Sequence, residues 1–308
     1  MPNSRQSTKN NVYRILMIVS IAVLLVVGVL LGKDWLGGRR ARQTQREMQE
    51  LYYGKPQGLS LFASALAEEE EEAAEPEAEL PPVQKDFQKL LKANRNTVGW
   101  LKVGASVDNA VVQSDNEYYL DHNFFGQLDS NGTLFMNAAN SLYPRDDVLL
   151  IHGHAMKSGA MFWTIKEFDS EAYLQKYPIV SFRTIYDEQE VLYTPIAAFR
   201  ASMTEQHPQY FDVLQMNFED DEPPVLESDP NAPRKSKAFQ TYLDSLAERS
   251  LWQPKVDVTP DDALLMLVTC TYEVDDGRYM LVCRRLREGE TAESITALYQ
   301  TEETMQTP

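Results

Sequence analysis

Cysteine is nearly absent from this chain: Cys270 and Cys283 are the only two in 308 residues. Two are too few for a disulfide-stapled scaffold, and without a CxxC pair neither a zinc knuckle nor a thioredoxin-type redox site can be built. Positive charge is also short. Lys and Arg number 29 against 46 Asp and Glu, a net charge of −17, which excludes a nucleic-acid binder working through phosphate neutralisation. Histidine is scarce at four residues, and there is no internal repeat. Hydrophobic residues make up 43% of the chain and charged residues 24%, which rules out wholesale disorder and suffices for one good-sized core with appendages.

One long apolar run exists, Ile15–Gly32, without an ionisable group. It is just long enough to span a bilayer, which takes about 20 apolar residues. Arg5, Lys9 and Arg14 precede it. The run exceeds the usual signal-peptide core of about 7–15 residues, and GKDWLGGRRAR follows it instead of an A-x-A-like cleavage site, so it reads as a retained signal anchor. Lys33, Arg39, Arg40, Arg42 and Arg46 lie beyond the run, and positive charge favours the cytoplasmic side, so charge alone leaves the orientation open.

The expected organisation is an N-terminal tail at 1–14, the anchor at 15–32, a tether at 33–82, a globular domain at 83–288 and a polar tail at 289–308 in which ESITALYQ can form one short helix. The tether includes Glu68–Glu72 and AAEPEAELPP, a self-repelling composition that cannot bury a core. In the globular part, Phe87, Leu90, Leu91 and Ala93 predict a short amphipathic helix. Then WLKV, VDNAVVQ, GTLFMN, DVLLIHG, IVSFRTI, EVLYTPIAAFRA, DALLMLVTC and YMLVCRRL follow as short β-branched and aromatic runs between Asn, Asp, Gly and Pro turns. That spacing predicts a mainly β barrel or sandwich. Helices interrupt it at Ser158–Phe168 with the following EAYLQKY, and at Ser236–Ser250, where Phe239, Tyr242, Leu243 and Leu246 share a face. The proline-rich acidic stretch Glu219–Pro233 reads as an exposed loop.

Cys270 ends the apolar run of one strand, which is where a barrel rim presents a side chain; it is either a small buried hydrophobe or a nucleophile. A thiolate at neutral pH needs a nearby cation, more so against a net negative domain. His152 and His154 end another apolar strand and supply a base; as i, i+2 neighbours they could also ligate zinc, with no third ligand evident and none expected. His122, in YYLDHNF, reads as a structural or wall residue. Arg278 follows the TYEVDDG turn, so a hairpin returns it beside Cys270, where it either stabilises an oxyanion or pairs with Asp275 or Asp276. Cys283 lies an odd number of residues from Arg278, on the opposite strand face, and reads as a buried inert thiol.

The pieces GWLKV, AVVQSDNEYYLDHNF, GTLFMN, LLIHGHAMKSGAMF, FQTYLDSLAERSLW and LMLVTCTYEVDDGRYMLV, in this order from about Phe87 to Arg287, resemble the sortases, specifically class B. The resemblance implies a closed eight-stranded β-barrel with an N-terminal helix and a helix before the Cys strand. It implies a cysteine transpeptidase that needs no cofactor, cleaves a sorting motif near the C-terminus of surface proteins through a thioester, and passes the acyl group to an amine of a cell-wall precursor or a pilin Lys. By motif, Cys270 is then the nucleophile, His154 the general acid/base and Arg278 the oxyanion or positioning group; Asn116, Leu120, Thr269, Thr271 and Glu273 are the substrate-binding candidates. The domain should face outward from a Gram-positive-type cell membrane. The family's TLxTC reads Met266-Leu267-Val268-Thr269-Cys270 here, and Glu219–Pro233 lies where class B enzymes wall the motif groove. A hydrolytic cysteine peptidase, a catalytically silent peptide-binding barrel and a zinc-binding structural protein are the alternatives.

Overall fold

The structure is a computed structural model that describes residues 4–54, 80–156, 158–218, 237–271 and 273–300; within the first helix, side chains are described at 16–27, at 32 and from 35 onward. The Glu68–Glu72 run and the Glu219–Pro233 loop lie outside the described residues.

Eight strands close a barrel: β1 (Thr97–Val103), β2 (Val107–Gln113), β3 (Phe135–Met136), β4 (Val148–His152), β5 (Val180–Thr184), β6 (Leu192–Ser202), β7 (Leu264–Cys270) and β8 (Gly277–Arg285). Their order around the barrel is β1-β2-β3-β4-β7-β8-β6-β5, with β5 returning to β1. Each strand is short and rich in Val, Ile, Leu and Phe, as pleated, half-buried backbone favours. Alternation does the sorting. Leu265 and Leu267 of β7, with Tyr279, Leu281 and Cys283 of β8, point into the barrel. Leu264, Met266 and Val268, with Met280 and Val282, point outward under α4 (Lys237–Arg249). That helix buries Phe239, Tyr242, Leu243 and Leu246, the four residues expected to share its face. Met266, where the family motif has Thr, is fully buried in this outer layer and acts as packing.

The expected helix near 158–168 starts later. Gly159 and Met161 take positive φ, 81° and 54°, which breaks helical geometry, so a 3-10 helix spans Phe162–Asp169 and α3 follows at Glu171–Lys176. The short helix near Phe87 is α2 (Gln88–Ala93), reached through a 3-10 turn at Lys85–Phe87, with Phe87 and Leu90 buried.

Both ends pack against the barrel. The N-terminal helix α1 (Ser4–Tyr53) continues through residues 39–53, within the stretch that composition reads as tether, and rests on the barrel. Ala41, Thr44 and Met48 are buried, Tyr52 stacks on Trp100 with ring centroids 4.3 Å apart, and Gln49 and Tyr53 hydrogen-bond Asp108. The Ile15–Gly32 run lies in the same helix, where Leu16, Met17, Ile18, Leu24 and Leu25 are exposed. Among the described residues no helix is long and apolar enough to cross a membrane.

At the other end, α5 (Ala292–Gln300) buries Ile295 and Tyr299 in the interior core. The turn into it is held by fully buried Arg284, whose guanidinium donates two hydrogen bonds to Glu290 at 2.8 and 2.9 Å. Glu290→Ala leaves that cation without its bidentate partner and is expected to cost about 3 kcal/mol in urea unfolding. The same bond holds the Glu290 carboxyl below its ordinary range. Its stabilisation is therefore present at neutral pH and fades as pH falls through the lowered value.

Candidate active site

The β7–β8 hairpin pairs Cys270 directly with Arg278, so the turn TYEVDDG brings the two together as its length required. Cys270 has the parity of Val268 and lies on the outer face at the strand end, half-buried. Arg278 Nη1 also donates to Asp276 Oδ1 at 3.1 Å, so the ion pair and the site position coexist. Asp276 adopts a positive φ of 43° to make that return.

Parallel pairing of β4 with β7 sets His152 beside Val268, and the Gly153 N–H donates to the Val268 carbonyl at 3.1 Å. Gly153 has no room for a side chain: a Cβ there would sit 2.4 Å from Leu134 and 2.8 Å from Phe162. The tight step between the two histidines separates their tasks. His152 stacks on Phe135 and lies 3.3 Å from the Asn137 amide; burial, then the charge of Arg278, lowers its pKa to about 4, so it is a neutral wall residue. His154 leaves the sheet and meets Cys270.

The imidazole and the thiol act on each other. Hydrogen bonding to Cys270 is the largest influence on His154 and raises its pKa against burial, helped by the Leu120 carbonyl 2.7 Å from Nε2. A carbonyl only accepts, so Nε2 carries a proton and Nδ1 is left to exchange one with sulfur. The Cys270 thiol is lowered, first by hydrogen bonding to His154 and then by the Arg278, His154 and Lys166 charges, against burial. These local cations answer the demand that a net charge of −17 places on any thiolate. Cys283 is the opposite case: fully buried in the barrel, its thiol is pushed far up by burial alone.

The three groups open onto one cleft of about 270 Å³. Asn116, Leu120 and Thr269 also line it, whereas Thr271 and Glu273 do not. Thr271 is buried beneath the hairpin turn, its N–H donating to the Gly277 carbonyl, and the Glu273 carboxylate pairs with Arg200 at 2.7 Å. Phe135, Asn137 and Met203 line the cleft without having been singled out. Phe135 and Asn137 share the strand parity that faces His152, which the GTLFMN pattern could have revealed; nothing local marks Met203. His122 stacks on Tyr118 and bonds its carbonyl, outside the cleft. Among the described residues no three His, Cys, Asp or Glu side chains are grouped as metal ligands.

No family model matches the chain. Individual relatives do. Sortase B of Listeria monocytogenes is 27% identical over 255 residues, covering 82% of this chain and 89% of that protein, and sortase B of Staphylococcus aureus is 21% identical over 277 residues, covering 89% and 96%. The chain resembles the class B sortases. Solved class B structures share its fold: a Bacillus anthracis protein similar to sortase B superposes with a TM-score of 0.60 at 22% identity over 80% of this chain and 96% of that one. A Staphylococcus aureus sortase B–substrate complex gives 0.60 at 20% identity over 82% and 98%. The similarity to these relatives supports a sortase-type cysteine transpeptidase.

Proposed function

We propose that this protein acts as a sortase, cleaving a C-terminal sorting motif of surface proteins with Cys270 and transferring the acyl group to an amine of a cell-wall precursor or a pilin Lys. The observation that carries the reading is the convergence of Cys270, His154 and Arg278 on one cleft. The Cys270 thiolate attacks the scissile carbonyl carbon, and the oxygen that becomes negative is held by Arg278, whose charge cannot be lost. As the C–N bond breaks, His154 gives its proton to the leaving amine. The incoming amine then attacks the thioester, returns a proton to His154 and releases the Cys270 thiolate.

Asn116, Leu120 and Thr269, which line the cleft, would contact the motif; a substrate complex has been solved for a Staphylococcus aureus sortase B of the same fold. Thr271 and Glu273 would act on the motif only through the hairpin turn. The Ile15–Gly32 run, as an anchor with 1–14 on the cytoplasmic side, would hold the domain outside the membrane of a Gram-positive-type envelope and raise its effective concentration toward membrane-held substrates.

The test is product partition. The full-length chain, given LPxTG-like and NPxTx-like peptides with and without amine acceptors, should convert one motif class to the amine-coupled product. Hydrolysed product alone, whatever the amine, would instead make it a peptidase. Arg278→Gln is expected to lower kcat by about 10²–10³-fold with a smaller change in KM, the usual loss when one oxyanion donor is removed; an unchanged kcat would take Arg278 out of the reaction.

A further inference from the structure

His154 owes its position to two loops, and both are touched by the N-terminal helix. The first is the β2–β3 connection. Its Leu120 carbonyl receives the Nε2 proton of His154, and Gly132 closes over that carbonyl from the other side. Gly132 has φ +62°, and a Cβ there would lie 2.5 Å from the Tyr119 oxygen, 2.9 Å from the Leu120 oxygen and 3.2 Å from the His154 ring. Only glycine permits that approach. Its neighbour Asn131 is buried, bound through its backbone N–H to the Asp129 carboxylate, and its side-chain amide donates to the Gly37 carbonyl of α1 at 3.0 Å.

The second loop follows His154 itself. Its carbonyl accepts from Phe162, and Ala155 bridges to Met161, a residue held at positive φ. Between them Ser158 presses against α1 at Gly38: a Cβ on Gly38 would lie 2.6 Å from the Ser158 Cβ, closer than side chains pack. Gly38 is buried, whereas a Cβ on Gly37 would meet the Asn131 amide only at 3.8 Å. Gly38 is therefore the position where the helix must have no side chain.

We propose that α1 is a positioning element of the active site: seated through Gly38 and Asn131, it holds the two loops that fix the His154 imidazole against Cys270. Gly38, Asn131 and Gly132 are positioning residues, and none touches the reacting atoms. The consequence is that displacing α1 along its length weakens the His154–Cys270 pair without disturbing the barrel. This rests on the proposed roles of His154 and Cys270, but its test does not require a known sorting motif.

The experiment follows the rate of Cys270 alkylation by iodoacetamide against pH in the full-length chain, beside the melting temperature. Gly38→Val and, independently, Asn131→Ala are expected to move the alkylation midpoint up by about one pH unit and to slow alkylation at neutral pH by about 3–10-fold, because the thiolate loses its hydrogen bond to the imidazole while Arg278 and Lys166 remain. Tyr53→Phe, on the same helix but at its Asp108 contact, should leave the profile in place. With a working substrate, the loss falls on kcat more than on KM. Should Gly38→Val not fold, Asn131→Ala decides. An unchanged midpoint in the folded variants overturns the proposal, and so does lower turnover with an unmoved midpoint, which would place the effect on the substrate side. Failure of the transpeptidase reading shows separately, as a normal alkylation response without acyl transfer.

Discussion

Cys270→Ala is expected to form no acyl-enzyme with any peptide and to lose turnover by about 10⁴-fold or more, the scale on which loss of a covalent nucleophile is felt. The side chain sits half-buried at the open end of β7, so the smaller alanine leaves a shallow notch and the melting temperature stays within a few degrees. No second thiol can take over. Cys283 faces the barrel interior with no exposed surface, and burial holds it as a neutral thiol. Intact mass after peptide treatment, beside a melting curve, checks both halves of this. An adduct persisting in the variant would remove Cys270 from the mechanism.

The second large effect belongs to His154. His154→Gln is expected to lower kcat by about 10²–10⁴-fold, the range that general acid–base catalysis supplies. It should also move the pH profile of Cys270. In the native site the thiol is lowered and the imidazole raised, each chiefly by the other, so their ordinary ranges approach and the thiolate–imidazolium pair becomes more populated at intermediate pH. Removing the imidazole leaves burial, which disfavours the thiolate, opposed only by Arg278 and Lys166. The alkylation midpoint therefore rises in the variant. His152→Gln, by contrast, should leave it nearly in place, since His152 is neutral and turned toward Asn137. A native midpoint in His154→Gln would refute the pairing.

The strands are readable as β-branched and aromatic runs between turn residues, and β2 begins and ends at the residues its run marks; those runs leave barrel and sandwich open, and the closed eight-stranded barrel is what the resemblance implies. The Cys270–Arg278 pairing was readable for a simple reason: hairpin register follows from turn length. What escaped has a common cause. α1 docks on the barrel through Ala41, Thr44, Met48 and Tyr52, a sparse stripe at helical spacing within a polar stretch, and α5 buries Ile295 and Tyr299. Few apolar residues suffice where the rest of the surface is supplied by a partner that sequence order does not reveal. The same holds for Gly38, whose need for a bare backbone arises only when Ser158 folds against it. Glu273 stood beside the nucleophile in sequence, yet the turn sends its carboxylate to Arg200 instead of the cleft.

The central claim is that Cys270 carries the acyl group on its way to an amine. The most direct measurement is intact-protein mass spectrometry of the full-length chain incubated with a sorting-motif peptide panel, quenched in acid, mapped by digestion, and repeated after addition of amine acceptors. The expected result is a thioester adduct on the peptide containing Cys270 that disappears when a specific amine is added, with the coupled product appearing in step. Turnover of a peptide with no adduct on Cys270, or an adduct mapped to another residue, would contradict it.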